Sequence, residues 1–166
     1  MLHVPIVKFF WTPKPESFAI DAFSFSWSGI KLYWFPPFPP FSVIPAVLQK
    51  MVVGRAKGIL VMPNWPTQPY YATVMKMLIA NPVYVHRRKT LLQLPGKSDV
   101  HKIWDKLDIL ICLLSGERLQ TETFRKTLPT FCSHHGDQIQ QNNMNVTYES
   151  GKCSVVEGKL IHFLQM

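Results

Sequence analysis

Strand-like and helix-like runs alternate between residues 31 and 116, which predicts an α/β fold on a mostly parallel sheet. Three observations carry this expectation. The run "GILVMP" (58–63) is continuously apolar and "LDILICLL" (107–114) is so from Ile109 on, as strands buried on both faces are. Apolar residues recur at helical spacing in the stretches before and between them. Proline and glycine joints separate one run from the next.

Taken in order, the chain opens with an aromatic and proline-rich entry segment, "FFWTPKPES". "KLYWF", Lys31 to Phe35, reads as a short strand that stops where "PPFPPF" begins. Prolines fix φ and withhold backbone donors, so residues 36–41 suit neither a helix nor an inner strand. A helix follows, with Ser42 as cap, Pro45 in the first turn, and Ile44, Val47, Leu48, Met51 and Val52 on one face. Gly54 and Gly58 bracket its exit into the "GILVMP" strand. "NWPTQP" is a turn, and "YYATVMKMLIA" (70–80) reads as a second helix aligning Tyr71, Val74, Met75 and Leu78. Pro82 ends it before the short strand "VYV", and a basic loop leads to "LDILICLL". Residues 1–116 are thus expected to form the α/β unit and 117–166 a polar tail. Within that tail, "KCSVV-EG-KLIHFL" predicts a hairpin over 152–164 turning on Glu157 and Gly158.

Composition adds a second theme. Charged residues make up 17% of the chain, below the roughly 25% usual for soluble domains, while aromatics reach 13%. Such a balance points to a very full core or to a surface that a partner covers. The net charge of +8 is concentrated: residues 51–116 hold nine Lys/Arg against three acids, and residues 117–166 balance at five against five. A basic middle fits a nucleic-acid partner, DNA or RNA, or simply a scatter of solubilising lysines. The tight basic cluster is His86-Arg87-Arg88-Lys89. With the aromatics of "NWPTQPYY", Arg87, Arg88, Lys89, Trp65 and Tyr70 are the candidate contacts to a single strand, phosphates on the cations and bases on the rings.

Most chemistries lack their residues. There is no glycine-rich phosphate loop, no G-x-S-x-G elbow and no HExxH. Asp105 and Asp108 share helical spacing but read more simply as solvated residues before a strand. Cys132, His134, His135 and Cys153 lack the paired spacing of structural zinc sites, so no metal is expected. The odd cysteine count argues for a reducing compartment, and no secretory signal pattern opens the chain. Five prolines within 32–48 speak against a spanning helix. The expectation is an intracellular protein, nuclear or cytoplasmic, with no membrane partner.

That leaves the doubled loop Phe35-Pro36-Pro37-Phe38-Pro39-Pro40-Phe41. On residues alone a rigid connector is the simpler reading. Yet a strand ending in Asp/Asn-Pro-Pro-aromatic, then a helix, is how amino-methyltransferases grip a flipped base. The acidic or amide oxygen accepts from the exocyclic amine while the ring stacks. Here Phe35 or Phe38 precedes each Pro-Pro, and neither side chain accepts a hydrogen bond.

Together, "FFWTPKPESFAIDAFSFSW", "FPPFSVIPAVLQKM", "KGILVMPNWPTQPYYATVMKML", "LLSG", "FRKTLPTFCSHHGDQIQQNNM" and "GKLIHF" resemble the polyprotein of DIRS-type, tyrosine-recombinase retrotransposons. The similar region lies downstream of the reverse transcriptase and its RNase H. This resemblance implies a Rossmann-like, adenine-methyltransferase-like fold whose relatives use S-adenosylmethionine, and it makes residues 35–41 a vestigial base-pocket loop. Either Pro-Pro pair matches, and the duplication leaves both open. Three departures stand out: Phe where active enzymes need Asp or Asn, Pro13-Lys14-Pro15 where Pro-Asp-Pro is expected, and Met1 falling just after the family's cofactor-binding first strand. The implied picture is an N-terminally truncated, catalytically inactive fragment with no cofactor of its own. Its upstream polyprotein portion is a candidate partner.

Overall fold

The computed structural model describes residues 23–35, 42–88, 107–131 and 152–166. It is a mixed α/β structure. The elements are β1 (Lys31–Trp34), α1 (Val43–Val53), β2 (Lys57–Pro63), α2 (Pro69–Lys76), β3 (Val83–Val85), β4 (Ile109–Ser115), α3 (Arg118–Thr127), β5 (Cys153–Val156), β6 (Lys159–His162) and β7 (Leu164–Gln165). Five strands form one sheet in the order β1-β2-β4-β3-β7, and β5 pairs with β6. No helix among the described residues is long and apolar enough to cross a membrane.

The sheet departs from the predicted parallel pairing. β1–β2 and β3–β7 are parallel, but β4 runs antiparallel to both β2 and β3. Four strands therefore share one direction and β4 alone is reversed. The cause is where β4 enters. Ile109 faces both Pro63 and Val85, so β4 starts at the same edge where β2 and β3 end. A strand that re-enters where its predecessors leave must run backwards, since a parallel return needs a crossover to the far edge.

Alternation along the strands sorts the apolar residues onto two faces. Leu32, Leu60, Met62, Tyr84, Leu110, Cys112 and Leu114 join the main core with Ile44, Val47, Leu48 and Met51 of α1 and Tyr70, Tyr71, Val74 and Met75 of α2. The i, i+3, i+4, i+7 spacing of the α1 residues is what lets one helical face lie on the sheet. Val52, expected on that face, is instead 52% exposed. Ser42 holds the cap position without a side-chain cap bond. The other face of the sheet carries a smaller cluster of Val61, Val85, Leu107 and Ile109, with Trp65, Val83 and Ile111 packed against it.

α2 is shorter than its sequence pattern. The Met77 carbonyl accepts from Ser115 N–H at 3.0 Å, and Ile79 N–H donates to Leu113 O at 3.0 Å. Backbone groups that would have continued the helix are used by β4 instead. Residues beyond the expected boundary at 116 share the same core: Leu128, Ile161 and Phe163 are buried in it, and β7 extends the sheet beside β3. The β5–β6 hairpin turns on Glu157 (φ 49°) and Gly158 (φ 69°), both left-handed as a type I′ turn demands. The loop residues Pro36, Pro37, Phe38, Pro39, Pro40 and Phe41 lie outside the described residues, as do Lys89, Cys132, His134 and His135.

Candidate functional site

Because β1, β2 and β3 point the same way, the residues that follow them gather along one sheet edge. Ligands of open α/β sheets bind outside this carboxyl edge. Phe35 follows β1, Asn64 and Trp65 follow β2, and His86, Arg87 and Arg88 follow β3. Asp108 lies at the same edge because β4 is reversed. The fold thus places most of the described candidate residues along one border. Sheet order sets three strand spacings between β1 and β3, roughly 14 Å, so Phe35 and the arginines sit at opposite ends of it.

Local backbone bonds shape the border. Asn64 N–H donates to Asp108 O at 2.8 Å, tying the ends of β2 and β4. Gln68 N–H donates to Trp65 O at 3.1 Å, closing a turn with Pro66 at its second position, where the fixed φ is favourable. Pro69 then opens α2, where the missing donor costs nothing. Tyr71 donates its hydroxyl to Asn64 Oδ1 at 3.0 Å, and burial pushes that phenol up to about 12, so it stays a neutral donor. His86 lies edge-on to Tyr84, with ring centroids 4.8 Å apart.

Arg87 and Arg88 are exposed, and Trp65 is half-buried against the smaller cluster. Arg87 Nε lies 3.7 Å from Asp108 Oδ1, which also accepts the Arg87 N–H at 3.4 Å. The guanidinium side chain is 54% exposed. Such a surface pair contributes about 0–1 kcal/mol, so Arg87 can trade the carboxylate for a phosphate at little cost. Tyr70 does not belong to this surface. It is 4% exposed, turned into the main core, and its ring cannot stack on a base. The partners that sequence reasoning missed are Asn64, Tyr71 and Asp108. Arg87 and Asp108 are 21 positions apart, and only the β3–β4 register brings them together.

S-adenosylmethionine, which the resemblance implies, does not fit the described residues. Ribose hydroxyls are typically held by a carboxylate at a strand end, beside a glycine turn that lets backbone approach closely. Asp108 is the one described carboxylate at this edge, and it is engaged by Arg87. The described glycines precede β1, lie between α1 and β2, sit at the start of β2, follow β4 or sit in the hairpin, so none is at this border. Among the described residues no group of three His, Cys, Asp or Glu is arranged to hold a metal. Cys112 is fully buried, and burial pushes its thiol up to about 12, which makes it unreactive.

No protein-family model, curated protein or solved structure matches the chain.

Proposed function

We propose that the chain is a methyltransferase-like α/β portion of a retroelement polyprotein, without methyl-transfer activity of its own. The observation that carries this is Phe35. It follows β1 at the carboxyl edge and precedes Pro36-Pro37, where an adenine-specific pocket needs an oxygen to accept the purine amine. A benzyl ring accepts nothing, and Phe38 before the second Pro-Pro is no better. The order β1-α1-β2-α2-β3, with both helices packed on one face, supports a Rossmann-like half-sheet by analogy of fold. Doubly wound sheets that carry a reversed strand usually hold it at an edge, whereas β4 lies between β2 and β3, so the analogy rests on the β1-α1-β2-α2-β3 order alone. In the reading proposed here, a cofactor strand would pair along the outer edge of β1, which has no partner among the described residues.

The test is direct. A folded sample incubated with labelled S-adenosylmethionine and adenine-containing DNA is expected to transfer no methyl group above the protein-free background. Label in N6-methyladenine would overturn the inactive assignment.

A second reading, an accessory module for single-stranded nucleic acid, is favoured by one observation: Trp65, Arg87 and Arg88 share the strand-end border. Each phosphate neutralised on a single strand contributes a slope of about −0.7 to log K against log salt. Two arginines therefore predict binding about sevenfold weaker at roughly 200 mM than at 50 mM salt. Fluorescence titration of a labelled oligonucleotide measures this slope. A slope unchanged in the Arg87→Ala, Arg88→Ala double variant would remove the border from the interface.

A further inference from the structure

At the opposite edge of the sheet, where β4 ends, lies a polar cleft of about 580 Å³. Its walls are the end of α2, the length of α3 and the β5–β6 hairpin. Lys76, Arg118, Arg125, Lys126 and Lys159 line it against only two carboxylates, Glu122 and Glu157.

Two of these cations converge on one carboxylate. Lys76 Nζ lies 2.8 Å from Glu157 Oε1, and Arg125 Nη2 bonds Glu157 Oε2. Lys76 and then Arg125 hold the Glu157 carboxyl below the ordinary carboxylate range. The glutamate reaches them from a left-handed backbone position (φ 49°), which non-glycine residues seldom adopt. One carboxylate oxygen therefore faces the Arg125 guanidinium and the other the Lys76 ammonium, the two kinds of cation that also bind phosphate.

Of the cleft's other cations, Arg118 Nε lies 2.5 Å from Glu122 Oε1, four residues on, and Lys126 has no ion pair among the described residues. Arg125 and Lys126 suit the last turn of α3, where the helix dipole favours them. Arg118 does not: it stands in the first turn, where the dipole disfavours a cation, and that turn holds no acid. Arg118, Glu122 and Arg125 share one helical face, with the two arginines roughly 10 Å apart along the axis. Lys159 Nζ, on the hairpin, points to the Leu128 carbonyl and the Thr130 hydroxyl at 3.4 and 3.2 Å.

We propose that this cleft binds a phosphate-bearing polyanion along α3, with one phosphate exchanging for Glu157 between Arg125 and Lys76. The phosphates come either from a free polyphosphate or from a nucleic-acid backbone. The proposal is independent of the strand-end border, which lies across the sheet.

Calorimetric titration of the full chain with tripolyphosphate tests it, with a single-stranded oligonucleotide as the second arm on the Arg87→Ala, Arg88→Ala background. Saturable tripolyphosphate binding is expected at low salt. Lys126→Glu, on an exposed side chain, should weaken it about fivefold by charge reversal. Glu157→Gln removes the competing carboxylate and should tighten binding about threefold. If that variant lowers the melting temperature and leaves affinity unchanged or weaker, Glu157 serves only to hold the hairpin and the exchange is overturned. Tighter oligonucleotide than tripolyphosphate binding, equally sensitive to Lys126→Glu, identifies the backbone as the source, and the reverse order identifies free polyphosphate. Absence of saturable binding in both arms, or indifference to both variants, overturns the proposal.

Discussion

Trp27→Ala is expected to destabilise the fold by about 3–5 kcal/mol, the range for deleting a buried indole. Trp27 is 1% exposed, and its ring lies 5.7 Å from Phe23 and 5.5 Å from Trp34 between centroids. Its Cβ lies 3.5 Å from where a Cβ on Gly54 would be, an ordinary van der Waals separation that brings the Trp27 segment against the end of α1. Lys50 adds an ammonium 5.5 Å from the indole. Removing the ring therefore uncouples the segment before β1 from the end of α1. For a chain of this size the loss corresponds to a melting point lower by roughly 6–20 °C. Thermal unfolding followed by circular dichroism reads it, with Tyr33→Ala as the comparison, since Tyr33 is 52% exposed. Equal shifts in the two variants would contradict the packing described for Trp27.

Gly116→Ala is the second large effect. A Cβ at this position would lie 1.8 Å from the Met51 carbonyl oxygen and 2.4 Å from its carbon. Both are backbone atoms, so no rotamer change relieves the overlap. The same oxygen accepts from Ala56 N–H at 2.9 Å, and Gly116 N–H donates to Ala56 O at 2.8 Å. To admit one methyl group, the end of α1 has to move off the end of β4 and stretch both bonds. The expected cost is about 3 kcal/mol, the upper part of the range for overpacking. A chemical-denaturation midpoint within error of the parent protein would show that α1 does not approach β4 this closely. Gly58→Ala provides a milder version, with its nearest approach 2.6 Å to Leu32.

How much of this was legible in the residues follows from the range of each signal. α1 and β2 announce themselves locally, through the 44, 47, 48, 51 spacing and an unbroken apolar run. The hairpin did too, because Glu-Gly between two β-prone tetrads specifies the turn. α3 escaped because it buries almost nothing: Thr121 is its one buried residue, and Leu119 is 69% exposed. Its only local sign was the Arg118–Glu122 pair at i, i+4. The early end of α2 and the reversal of β4 were not legible, since the first is decided by bonds between residues 34 and 38 positions apart and the second by ladders whose partners lie 24 to 58 positions apart. The site divides likewise. Arg87 and Arg88 stood out as charge, whereas the burial of Tyr70 and the Asp108 partnership depend on which face and register the sheet assigns.

The reversed central strand also governs the order in which the chain can assemble as it leaves the ribosome. β2 and β3 have no ladder with each other, and each waits for β4. Among the described residues, a nascent chain released as far as Val85 has only the four-residue β1–β2 ladder available to it. The seven-residue ladder that completes the middle of the sheet becomes possible once Ser115 has emerged. Until then the apolar β2 segment is a task for chaperones, and ribosomal pausing between these two points would lengthen the interval in which aggregation competes with folding.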